Sequence, residues 1–138
     1  MEIEAFLLCD AATDQQGKLN VLGTFESIFA KEVPVIHPSC AVATRIRFEN
    51  IEEGEHSVKI DVIDEDGKQI IPRLEGKIAV KFESGTSTGV NLILNLNQLK
   101  FEKFGEYSVK LAIDGQAVRS LPLRLAEVPK NLMYNRTT

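Results

Sequence analysis

Cys40-Ala41-Val42-Ala43-Thr44-Arg45-Ile46-Arg47-Phe48 decides how this chain folds. Cys40, Val42, Ile46 and Phe48 fall on one side of an extended backbone. Arg45, Arg47 and Glu49 fall on the other. Side chains of a strand alternate between two faces, so a period of two marks a strand with one face in a core and one in water. The same period recurs down the chain. Val58, Ile60 and Val62 alternate with Ser57, Lys59 and Asp61, and Leu74, Ile78, Val80 and Phe82 with Glu75, Lys77, Lys81 and Glu83. Val90, Leu92, Leu94 and Leu96 alternate with Asn91, Ile93, Asn95 and Asn97. Tyr107, Val109, Leu111 and Ile113 alternate with Ser108, Lys110 and Asp114, and the last strand carries Leu121, Leu123 and Leu125.

The N-terminal part is more continuous. Residues 3–9 and 19–29 read as strands buried on both faces. Gly23 inside the second run points to a bulge or a close backbone approach. Short glycine-bearing links separate the runs: Asp14-Gln15-Gln16-Gly17, Glu52-Glu53-Gly54-Glu55, Asp64-Glu65-Asp66-Gly67 and Asp114-Gly115-Gln116. Links this short make neighbours antiparallel, because a parallel crossover needs about a dozen residues. Pro34 and Pro38 bracket a connection over 33–39 that carries the chain between sheets. Residues 97–104 are the best short helix or turn. About eight strands without intervening helices predict an all-β, antiparallel two-sheet sandwich. It should form one domain over residues 1–128, with a mobile tail over 129–138.

Composition narrows the function. The 138 residues carry 43% apolar and 26% charged side chains, as globular domains do. The formal net charge is −4 and the basic residues are scattered, so no nucleic-acid footprint is expected. No apolar run is long enough to cross a bilayer as a helix. Met1-Glu2-Ile3-Glu4 is acidic where a secretory signal needs a basic region. The expectation is therefore a cytoplasmic protein without membrane contact. Cys9 and Cys40 sit in apolar runs outside any C-x-x-C spacing, which suits two buried free thiols.

Two resemblances add to this. The segment from Leu99 and Phe101 through Gly105 and Tyr107 to Leu111 resembles the tyrosine corner of immunoglobulin-like sandwiches. There a tyrosine opening the penultimate strand turns its hydroxyl back to the upstream backbone. Val109 stands where antibody domains have a cysteine, and the chain has no Trp. The resemblance therefore implies an immunoglobulin-like sandwich only in the broad sense. Ala5-Phe6-Leu7-Leu8-Cys9-Asp10-Ala11-Ala12, with Gly17-Lys18-Leu19-Asn20-Val21-Leu22-Gly23-Thr24-Phe25, resembles a family of uncharacterised bacterial proteins of about this length. That likeness implies a bacterial cytoplasmic origin and brings no activity or ligand.

Candidate chemistry is sparse. Glu49, Glu52, Glu53, Glu55, Asp64, Glu65 and Asp66 occupy two loops which, at one end of a sandwich, would offer calcium its hard oxygens. Glu53, Asp64 and Asp66 are the metal candidates, although Asp-Glu-Asp-Gly is also an ordinary turn. Ser84-Gly85-Thr86-Ser87-Thr88-Gly89 lacks the lysine and helix of a phosphate loop. His37 and His56 read as surface histidines, with no companion ligands at metal spacing. No serine stands in a G-x-S-x-G elbow. Asn91, Asn95 and Asn97 line a polar strand face suited to a partner. No cofactor is expected. Two functions result: a non-catalytic binding or protein-interaction module, or a calcium-dependent binder or enzyme using the acidic loops. The first would act through an edge strand at 90–97 or 119–125, on a protein partner or by self-association.

Overall fold

The structure is a computed structural model and describes residues 1–129. Apart from Pro129, the expected tail over 129–138 lies outside the described residues. The chain forms nine strands: β1 (Glu2–Gln15), β2 (Lys18–Thr24), β3 (Ser27–Ala30), β4 (Val35–Glu49), β5 (Gly54–Ile63), β6 (Leu74–Val80), β7 (Ser87–Phe101), β8 (Gly105–Ile113) and β9 (Gln116–Glu127). A 3-10 turn at Asn50–Glu52 separates β4 from β5. One sheet has the order β2-β1-β4-β7 and the other β3-β9-β8-β5-β6. Every pairing is antiparallel except that of β3 with β9.

The alternating positions become the core between the sheets. Ile46, Phe48, Ile60, Leu111 and Leu123 are fully buried there. Two hairpins are set by their turns. Gln16 and Gly17 have φ of 53° and 80°, and Asp114 and Gly115 have 52° and 81°. Two successive positive φ values give the twist that a two-residue hairpin needs. Tyr107 donates its hydroxyl to the Lys103 carbonyl at 2.6 Å, and its ring meets Phe101 edge-on at 4.9 Å. This is the hydrogen bond expected of the corner.

Three readings are corrected. Residues 97–104 form no helix: β7 continues to Phe101. Leu96 and Leu99 both enter the core at helical spacing because Gln98, with φ 57°, shifts the strand's phase. Pro38 on β4 stands opposite that kink, flanked by the His37–Leu99 and Ser39–Asn97 pairs. Ladder bonds are dispensable there because β1 pairs with β4 only from Ala41 onward. The crossover between sheets is accordingly shorter than expected, spanning residues 31–34.

Residues 19–29 are not buried on both faces. They divide into edge strand β2, where Leu22 is 69% exposed, and β3 of the opposite sheet. Over 3–9, Phe6 and Leu8 point inside and Leu7 outside, and Cys9 is buried on the outer face. Cys9, Ala41 and Ala43 are buried although they face away from the main core. The β1–β2 hairpin folds back over that outer face and brings Ala12, Leu19 and Val21 onto them. The Asn91 amide donates to the Gly17 carbonyl at 3.1 Å, fastening the hairpin tip. Gly23, with φ 67°, leaves room for the Asp10 carboxylate, which a Cβ would meet at 2.5 Å.

Candidate functional site

A strand edge presents a row of backbone donors and acceptors, and natural proteins protect it with charge, proline or brevity. Three of the four edges here are protected in this way. β3 is only four residues long. β6 carries Glu75 and Lys77, and β2 begins on Lys18 and, at seven residues, is less than half as long as β7. β7 differs. It spans fifteen residues and pairs only with β4 among the described residues. From Ser87 to Leu99 it has no charged residue and no proline.

The flanks of β7 suit its edge position. Leu92 and Leu94 are half-buried and, with Val58, Leu74 and Ile78, line a small apolar recess of about 70 Å³ between the sheets. Farther along, Ile70, Ile71, Pro72, Asn95 and Asn97 line a groove of about 330 Å³. The three asparagines share the outer face but not one environment. Asn91 is committed, accepting from Arg45 Nη1 at 2.8 Å and donating to Gly17. Asn95 and Asn97 are exposed. Ile93 packs under the hairpin. Arg45 and Arg47 both bind Glu4, at 3.0 and 2.8 Å, and this holds the Glu4 carboxyl below its ordinary range, with Arg47 the chief cause.

The terminal strand, which offers a candidate edge over 119–125, is internal at its end: Arg124–Glu127 pair with β3 on one side. Upstream its flank is open beyond β8, but Arg119 reaches across to the Ile3 carbonyl at 3.4 Å and Pro122 interrupts the donor row.

The acidic loops do not meet. The 3-10 turn with Glu53 precedes β5 and the Asp64 turn follows it, so the strand separates them by about 30 Å. The sequence expectation of one shared end is therefore incorrect; a ten-residue strand between two turns puts them at opposite ends. Each carboxylate has a local task. Asp64 Oδ1 accepts from the Lys68 and Asp66 amides at 2.9 Å, which lowers its pKa, chiefly through Lys68. Asp66 pairs with Lys103 at 3.4 Å, and Glu53 accepts from the Phe82 amide at 2.9 Å. Among the described residues no group of three or more His, Cys, Asp or Glu side chains is placed to hold a metal ion.

Neither histidine is a plain surface residue. His37 lies on β4 beside Phe25, with its Nε2 buried and unpartnered. His56, on β5, stacks on Phe48 at 4.7 Å, with Nδ1 at 2.6 Å from Asp114 Oδ2 and Nε2 at 2.6 Å from the Glu52 carbonyl. Sequence reading missed this cluster because its members lie 58 and 4 residues apart with no motif linking them. The loop before β7 is pinned by Asn50, whose amide donates to Thr86 O at 2.9 Å. No described helix is long and apolar enough to cross a membrane.

No curated protein matches the chain. A β-glucosidase from Listeria innocua, solved with isofagomine, is similar in structure, with a TM-score of 0.49 and 12% identity. The match covers 88% of this chain but 16% of that one. Residues 4–126 match DUF6941, a family of unknown function, and the chain belongs to that family.

Proposed function

We propose that this chain is a non-catalytic interaction module that accepts an extended polypeptide strand along the open edge of β7. One observation carries this reading: β7 is a long edge strand whose run from Ser87 to Leu99 has neither charge nor proline. Strand addition draws affinity from main-chain hydrogen bonds and selectivity from pockets for alternate side chains. The recess at Leu92 and Leu94 and the groove beside Asn95 and Asn97 are suited to such pockets. The calcium reading has little support, since Glu53 and Asp64 lie at opposite ends of β5 and each already serves its own turn. A catalytic reading needs converging groups, and the carboxylates here diverge. A cytoplasmic setting agrees with two buried free thiols. The Tyr107 corner supports the immunoglobulin-like form of the sandwich.

The test uses a fluorescent peptide copying residues 87–99, added in excess and followed by anisotropy. Saturable binding is expected, together with none for the same peptide carrying Ile93→Pro, which removes a ladder donor. A flat titration for both peptides refutes the reading.

A further inference from the structure

We infer that the strand received by β7 is the β7 of a second copy of this chain, paired antiparallel about a two-fold axis through Ile93. This rests on reading β7 as a strand-accepting edge, and it names the occupant.

The sequence of the edge carries the argument. Asn91-Leu92-Ile93-Leu94-Asn95 is the same in both directions. An antiparallel partner related by a two-fold axis presents its residues in reverse order. Centred on Ile93, the pairing sets Asn91 opposite the second copy's Asn95 and Leu92 opposite its Leu94. One step outward, Val90 faces Leu96, again apolar on apolar. Each face of the joined sheet therefore continues unchanged across the axis. Directly opposed side chains are the unit of sheet stabilisation, so a strand complementary to its own reverse is a good partner for itself.

Charge agrees with this arrangement. Because Ser87 to Leu99 is uncharged, no like charges oppose one another in the paired stretch. The first charged residue before the run is Glu83 and the first after it is Lys100. In this register Glu83 lies toward Lys103 and Lys100 toward Thr86 of the second copy, so like charges do not meet at either end of the contact. The paired stretch up to the kink at Gln98, residues 89–97 of each copy, is about 30 Å long at the usual strand rise. It would join two four-stranded sheets into one and remove the unprotected edge from both copies.

The register is tested by sedimentation equilibrium. The wild type is expected at twice the 15.3 kDa chain mass. The double variant Asn91→Asp/Asn95→Asp places two carboxylate pairs face to face across the axis. Its dimer dissociation constant should rise about tenfold. Asn95→Asp alone opposes an asparagine and should leave the dimer unchanged. Both changes are isosteric. Asp at 91 keeps an acceptor for Arg45 but loses the donor to Gly17. Asn91→Asp alone, which opposes an asparagine and should also leave the dimer unchanged, therefore separates loosening of the hairpin from repulsion across the axis. Melting curves show that the fold persists. Ile93→Cys should cross-link to its own copy under mild oxidation. A dimer that ignores the double variant and fails to cross-link at Ile93→Cys uses another face and overturns the inference. A monomer that still binds the 87–99 peptide overturns the inference and leaves the strand-accepting reading intact. A monomer that binds no peptide overturns both.

Discussion

Raising the pH should weaken this fold through one imidazole. Both ring nitrogens of His56 face groups that only accept: the Asp114 carboxylate and the Glu52 carbonyl, each at 2.6 Å. A neutral imidazole has a single N–H, so both bonds require the imidazolium. The pKa of His56 is raised from 6.5, chiefly by the hydrogen bond to Asp114 and then by the Glu52 carbonyl, with burial opposing. Asp114 is correspondingly lowered from 3.8, with His56 the main cause. A raised histidine pKa stabilises the fold fully below the unfolded value and loses that contribution as pH climbs through the folded value. A lowered Asp pKa stabilises above the unfolded value and fails as pH falls through the folded one. The pair is therefore fully effective between about pH 3.8 and 6.5.

The magnitude follows from exposure. A charged hydrogen bond contributes roughly 1.5–3 kcal/mol when protected. The His56 side chain is 14% exposed but Asp114 is 52% exposed, so solvent screening reduces the pair to about 1 kcal/mol. Urea unfolding of wild type and His56→Gln across neutral pH isolates this contribution from other titrating groups. The wild type should lose about 1 kcal/mol relative to the variant as pH rises from 6.5 through the folded pKa of His56. A constant difference between the two proteins over that range would refute the reasoning.

Two further outcomes are expected from chemical unfolding. Thr44 is fully buried and its Oγ1 has no partner, so Thr44→Val, which replaces a stranded hydroxyl by a methyl, should stabilise the fold by about 1–2 kcal/mol. A loss of stability would show that the hydroxyl has a partner. Tyr107→Phe removes the donor to the Lys103 carbonyl while keeping the ring against Phe101, and should cost about 1 kcal/mol. No change in the unfolding midpoint would mean that water replaces the hydroxyl without loss.

The sandwich was legible because period two is a local signal, and residues such as Val42, Ile60 and Leu111 declare their face without knowing their neighbours. The Tyr107 bond was legible for the same reason, since its acceptor is four residues away. What sequence could not supply was the relation between distant segments. Glu53 and Asp64 looked like neighbours until β5 separated them. The residues around Leu99 looked helical because the kink at Gln98 is visible only with Pro38 across from it. Burial at Cys9 suggested a strand enclosed by two sheets, whereas its cover is the tip half of its own hairpin. At the candidate edge, the alternation of β7 was plain from sequence. Its position at the margin of its sheet, and the commitment of Asn91 to Gly17, required the fold.

The folded-back hairpin has a consequence for the two thiols. Cys40 lies inside the sandwich, where burial pushes its pKa up to about 11, so it stays protonated and inert until the sheets part. Cys9 lies on the opposite face under a flap fastened at its tip by Asn91, and the flap can lift without disturbing the principal core. The molecule thus carries two clocks of different speed. Modification of Cys9 by a thiol reagent times the lifting of the flap, and modification of Cys40 times the unfolding of the whole domain.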